Sequence, residues 1–183
     1  MSQPIVLRSP PTGETFHFHT SARGGDGRFR FTWTLAPGQS GPSEHTHTRE
    51  TEHFRMVSGE LQVWLAGERS ALYPGDQLAI PPGVPHRFHN AGATPAVTEC
   101  TLDGTALEDQ FVPIAVRFPD GEKFPVTGVP VLIVHGYASM LQGSAVPTSR
   151  AERSVIGALA ALFRFFGLRA LPPVSGWDGR APG

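Results

Sequence analysis

GDQLAIPPGVPHRFHN, residues 75–90, joins a short apolar run to a proline-glycine corner and a pair of histidines. Gln77 to Ile80 has the look of a short strand. Pro81-Pro82-Gly83 then forces a sharp turn, because proline holds φ near −65° and glycine accepts the positive values other residues avoid. The chain resumes as an extended run that delivers His86, and alternation sends His86, Phe88 and Asn90 to one side, Arg87 and His89 to the other. An earlier stretch, PGQSGPSEHTHTRETEHFRMVSG at residues 37–59, sets His45 and His47 one residue apart. On a strand both imidazoles share a face. Glu52 follows after four intervening residues and can enter on the next strand or turn, with Glu50 as its competitor, and Gly59 closes the unit.

Outward from these two stretches, Gly13 to Leu102 is a series of short alternating segments. In the clearest, Phe29, Phe31, Trp33 and Leu35 alternate with Arg28, Arg30, Thr32 and Thr34, so one face is buried and the other wetter. Further strands are expected at Glu14 to Thr20, Phe54 to Val57, Glu60 to Leu65, Arg69 to Tyr73, Gln77 to Ile80, His86 to Asn90 and Val97 to Leu102. Turn pairs such as Pro37-Gly38, Ser58-Gly59, Pro74-Gly75 and Ala91-Gly92 separate them. The 21 glycines and 18 prolines agree with a chain of many corners. About eight short strands predict an all-β core, a closed barrel or a sandwich. After Asp103 the period changes to helical: Thr105 to Phe118 and Arg150 to Leu168 read as helices, and 128–142 reads as a helix more than a strand. The expected organisation is a β-barrel with N-terminal strands over 1–104, a helical extension over 105–171 packing on the barrel or on a dimer partner, and a loose Pro/Gly-rich tail over 172–183.

Composition excludes several function classes. Fifteen basic against 16 acidic side chains give a net charge of −1, without the basic excess that nucleic-acid binding requires. Cys100 is the only cysteine, so an intrachain disulfide and a thiolate zinc cluster are excluded; it reads as a small buried hydrophobe. Met1 to Gly13 lacks a basic start followed by an apolar run, so no secretory signal is read and a cytoplasmic address is expected. The apolar stretch Val155 to Leu168 is broken by Arg164 and is shorter than the roughly 20 residues of a membrane span.

The two histidine-bearing stretches together resemble the paired motifs of the cupin superfamily. The second matches without a gap: Gly75, five residues, Pro81, one, Gly83, two, His86, three, Asn90. The first matches from His45 onward, with four residues between His47 and Glu52 and six between Glu52 and Gly59. It departs at Gly38, which stands one residue farther from His45 than the usual pattern. The resemblance covers about half the chain and extends more loosely to bacterial single-domain, quercetin-dioxygenase-like members. It implies an antiparallel double-stranded β-helix, the jelly-roll barrel, with C-terminal helices added here. It also implies one divalent transition metal inside, held by His45, His47, Glu52 and His86.

Imidazoles with one carboxylate suit Fe, Mn, Ni, Cu or Zn better than calcium or magnesium. Four protein ligands on a six-coordinate ion would leave two positions for water, oxygen or a bidentate substrate. If Glu52 and His86 face inward, alternation also sends Phe54, Met56 and Phe88 inward, beside some of Phe29, Phe31 and Trp33, as walls for a small aromatic or apolar ligand. His17 and His19 read as the outer face of an N-terminal strand, His53 and His89 as outward, Glu50 as a solvated loop charge, and Asn90 as the cap of the turn at Ala91-Gly92. Three functions remain open. The first is a metal-dependent dioxygenase-like oxidoreductase, with Glu52 as ligand and proton acceptor. The second is a redox-neutral isomerase or lyase, which needs extra charged groups in the pocket. The third is a non-enzymatic binding or storage protein, since fold alone does not separate it from the others. The apolar C-terminal stripe predicts a homodimer.

Overall fold

The computed structural model describes residues 5–120, 145–165, 174, 176 and 177. Its elements are β1 (Val6–Ser9), β2 (Glu14–Thr20), β3 (Arg28–Leu35), β4 (His45–His47), β5 (Glu52–Ser58), β6 (Leu61–Leu65), β7 (Glu68–Leu72), β8 (Gln77–Ile80), β9 (His86–His89), β10 (Ala96–Asp103), α1 (Glu108–Arg117), β11 (Ala145–Pro147) and α2 (Arg150–Phe165). They build two antiparallel sheets, one ordered β1-β2-β3-β10-β5-β8 and the other β11-β4-β9-β6-β7. From β3 to β10 the chain passes back and forth between the sheets, which makes a jelly-roll sandwich. The closed barrel expected from sequence is corrected in this respect: among the described residues no ladder joins one sheet to the other, so the core is shut by side chains packed between two faces rather than by continuous backbone pairing.

Period-2 alternation is what fills that core. On β3, Phe29, Phe31, Trp33 and Leu35 are buried, and on β10 Ala96, Thr98, Cys100 and Leu102 are buried opposite Leu61, Val63 and Phe88 of the other sheet. The β3–β10 register pairs Cys100 with Phe31 and Leu102 with Phe29, so matching faces coincide across the ladder. Each large apolar side chain so enclosed stabilises the fold by roughly 1.5–3 kcal/mol. On the outer faces, Arg30 pairs with Asp26 and Arg55 with Glu99. Neither arginine reaches the interior.

The helix expected over 105–118 opens at Glu108, whose buried carboxylate accepts from Ser21 Oγ at 2.6 Å, Ala22 N at 2.7 Å and Arg23 Nη1 at 2.9 Å. These bonds clamp the start of α1 to the loop after β2. The strands β1 and β11 carried no clear pattern in the sequence. β1 is an edge strand paired only with β2, and β11 has three residues. The segment 128–142, and with it His135, lies outside the described residues. So does most of the expected tail, but Trp177 departs from the loose reading: it is buried and meets Phe29 and Phe18 edge-on at 6.0 and 6.5 Å between ring centroids. No helix among the described residues is long and apolar enough to cross a membrane.

Candidate metal centre

Three of the expected ligands come from neighbouring strands of one sheet and the fourth from the start of a strand in the other. His45 and His47 flank Thr46 on β4, where alternation buries both, and β4 pairs with β9 so that His45 stands opposite His86. One nitrogen from each of the three rings lies within 4.8 Å of the others. Glu52, the first residue of β5, brings Oε2 to 3.3 Å from His47 Nε2 and 3.3 Å from His86 Nε2. All four side chains are buried.

The backbone selects which nitrogen each ring presents. His45 Nδ1 lies 2.8 Å from the carbonyl of Ser43, and His86 Nδ1 lies 2.9 Å from that of Val84. A carbonyl only accepts, so each ring donates from Nδ1 and leaves Nε2 as the nitrogen available to a metal. Burial first, then the neighbouring His86 and His47, pushes the pKa of His45 down to about 4. Burial alone would raise that of Glu52, but His47 and His86 beside it outweigh burial and hold the carboxyl well below its ordinary value.

A metal fit can be tested on the distances. Ligand atoms about 2.0–2.2 Å from one ion stand about 3 Å apart at right angles and about 3.4 Å apart at a tetrahedral angle. The two 3.3 Å separations fall in that range. Glu52 Oε2 and His86 Nε2 are buried and make no hydrogen bond among the described residues, though they are close enough to do so. Such a state costs about 1–3 kcal/mol per group unless something else occupies the lone pairs, and a divalent cation between them would do so.

His45, His47 and Glu52 line a cavity of about 80 Å³, and His86 sits behind them, outside its lining. Phe31, Trp33, Phe54 and Phe88 line it, with Leu107 and Phe111 of the α1 region over its rim. Met56, expected among the walls, is fully buried but does not line the cavity. It shares the inward face of β5, yet lies four residues beyond Glu52, two positions past Phe54, and packs deeper in the core. Phe29 is also displaced from the cavity, stacking with Phe18 at 5.6 Å. His17, His19, His53 and His89 stay outside it; His19 Nε2 bonds Thr32 Oγ1 at 2.8 Å and His89 Nδ1 bonds Ser40 Oγ at 3.1 Å.

Three polar residues differ from, or were absent from, the sequence reading. Glu50 is buried rather than solvated: its Oε1 accepts from Ala106 N at 2.8 Å, and burial raises its pKa. It ties the ligand loop to the chain entering α1. Glu14 lies in the cavity wall, buried, accepting from Trp33 Nε1 at 3.2 Å. Cys100 also lines the cavity, where burial raises its thiol well above the ordinary value. Only the alternation of β2, which buries Glu14 with Phe16 and Phe18, pointed to the first of these cavity residues. Asn90 caps its turn as expected, donating to Leu35 O and Thr94 O at 2.9 Å and accepting from Gly92 N.

Comparison with known proteins finds a family match over part of the chain. The Cupin domain family matches residues 31–102. Among curated proteins, an oxidoreductase of Arthrobotrys oligospora is 32% identical over 85 residues, covering 46% of this chain and 32% of its own. Quercetin 2,3-dioxygenase of Bacillus subtilis is 30% identical over 91 residues, 46% of this chain and 27% of its own. Mannose-1-phosphate guanylyltransferase ManC of Salmonella typhimurium is 33% identical over 87 residues, 48% of this chain and 17% of its own. The chain therefore spans about a third or less of the length of these relatives.

Proposed function

We propose, for a chain whose residues 31–102 are a cupin domain, that it binds one divalent transition metal and is a dioxygenase-like oxidoreductase acting on a small aromatic or apolar substrate bearing oxygen. The observation that carries the reading is the convergence of four buried ligand-type groups, three of which line an apolar cavity. His45, His47, Glu52 and His86 would hold the ion. The ion would supply Lewis acidity and, if it is iron, manganese, nickel or copper, redox chemistry. Trp33, Phe54 and Phe88 would orient a ring and exclude water. Glu52 would hold the ion and take a proton from the substrate oxygen through Oε2 or its neighbour.

Cavity size limits the substrate. Pockets for drug-sized ligands run to about 300–1,000 Å³, so about 80 Å³ favours a single small ring over a flavonol or a nucleotide sugar. Oxygen uptake by metal-loaded protein is expected with catechols and small diketones and not with flavonols. Background uptake across the whole panel, with the metal confirmed present, would count against the oxidoreductase.

A second reading is a metal-dependent isomerase or lyase, favoured by one observation: Glu14 supplies an additional acidic group in the cavity. Turnover of substrate without oxygen, and with no change of oxidation state, would select it. The proposal also includes a cytoplasmic address and a homodimer. Sedimentation showing only a 19.7 kDa species would remove the dimer.

A further inference from the structure

Glu14 has no part in the ligand set, yet it is an acidic side chain placed in an otherwise apolar wall. It opens β2, opposite Leu35 of β3, which itself pairs with Ala96 of β10. Glu52 stands opposite Leu102, six residues farther along β10, and β5 is three strands from β2 in the sheet order. Both side chains nevertheless line the same cavity. Glu14 Oε1 is 3.2 Å from Trp33 Nε1, the Trp33 ring is 5.6 Å from that of Phe88, and the Phe88 ring is 5.6 Å from that of His86, so a short run of aromatic side chains leads from Glu14 to the ligand set.

We infer that Glu14 is a specificity-determining residue that hydrogen-bonds a polar group at the far end of the substrate, so that the ligand is two-headed: chelating oxygen toward His45, His47, Glu52 and His86, an apolar ring in the middle, and a hydrogen-bond acceptor toward Glu14. Trp33 Nε1 donates to Oε1 and fixes the carboxyl in place. Burial is the largest influence on this group and keeps it protonated to about pH 7, against the smaller effects of Thr12 and Trp33. A neutral carboxyl still has one O–H to give. The inference rests on the proposed metal-binding reading, and does not depend on whether the chemistry is oxidative.

Catechol and 3,4-dihydroxybenzaldehyde test it, titrated into metal-loaded protein and followed by calorimetry. Both chelate; only the aldehyde carries the extra acceptor. The aldehyde-to-catechol affinity ratio should be kept in Glu14→Gln, whose amide still donates, and should fall about tenfold in Glu14→Met, the loss of one hydrogen bond. Comparison between variants removes the electronic effect of the aldehyde on the catechol itself. A ratio unchanged in Glu14→Met, or both affinities falling by one common factor, would mean that Glu14 only supports Trp33 and would overturn the inference; so would failure of either probe to bind the wild type. If Glu14→Met does not fold, a ratio lost in Glu14→Gln overturns it equally, and a ratio kept in Glu14→Gln but lost in Glu14→Leu supports it. Oxygen uptake measured in parallel separates the two ideas: discrimination without uptake preserves the role of Glu14 and removes the oxidoreductase.

Discussion

His86 is held by a carbonyl behind it and a carboxylate in front. The bond to Val84 O directs Nε2 toward Glu52, and complete burial leaves water no access to that nitrogen. His86→Ala should therefore reduce the metal that co-purifies with the chain from about one ion to background, read by elemental analysis. Glu14 gives a prediction of opposite character, on stability. Its carboxyl is pushed from 4.5 to about 7, chiefly by burial. Below pH 4.5 both folded and unfolded chains hold the proton and nothing is lost. As pH rises from there the unfolded chain ionises while the folded one resists, so stability falls until the folded group ionises near pH 7. Glu14→Gln removes that loss and keeps an oxygen for Trp33. Its stability relative to wild type should rise between pH 4 and pH 8 by roughly 3 kcal/mol, measured by urea unfolding at each pH.

At the scale of elements, turns decide whether the strands deliver the ligands. Gly59 and Gly83 both have left-handed backbone, φ +78° and +80°. Their surroundings differ: a Cβ at Gly59 would fall 2.4 Å from Pro95 O, whereas one at Gly83 would meet open space. Gly83→Ala should cost only the backbone strain, about 1 kcal/mol, and Gly59→Ala about 3 kcal/mol. Equal losses in denaturant unfolding would show that the contact with Pro95 relaxes freely. The fully buried Asn90 carries three hydrogen bonds that join the end of β3 to the turn before β10. The glycines and Asn90 were legible in the sequence because a tight turn allows few residue types. The β1 and β11 strands were not, because a short edge strand takes its shape from the neighbour it pairs with and needs no pattern of its own.

For the molecule as a whole, the site lies between the two sheets, so the ion would act as a cross-link between them. Glu52 belongs to the sheet of β5, and the three histidines to the sheet of β4 and β9. Binding only to the folded state stabilises it by about 4 kcal/mol when metal is a thousandfold above its dissociation constant. Removal by a chelator should then lower the melting temperature by roughly 10 °C in a chain of this size, and a matching ion should restore it. No shift on chelation, with metal loss confirmed, would argue that the four groups do not bridge the sheets through an ion.

The order of residues was enough to determine the strand periods, the tight corners and the pairing of His45 with His47 on one strand face. Each of these is local: alternation, a positive φ, or two histidines on one strand face can be read within ten residues. Tertiary structure alone decided that Glu14 meets Trp33, that Glu50 is buried, that Met56 does not line the cavity, and that Trp177 returns to the aromatic core. Those outcomes depend on partners far along the chain, Trp33 for Glu14, Ala106 for Glu50, Phe18 and Phe29 for Trp177. The physical reason is that the direction of a side chain is set by its own strand, while what it meets there is set by the sheet that folds over it.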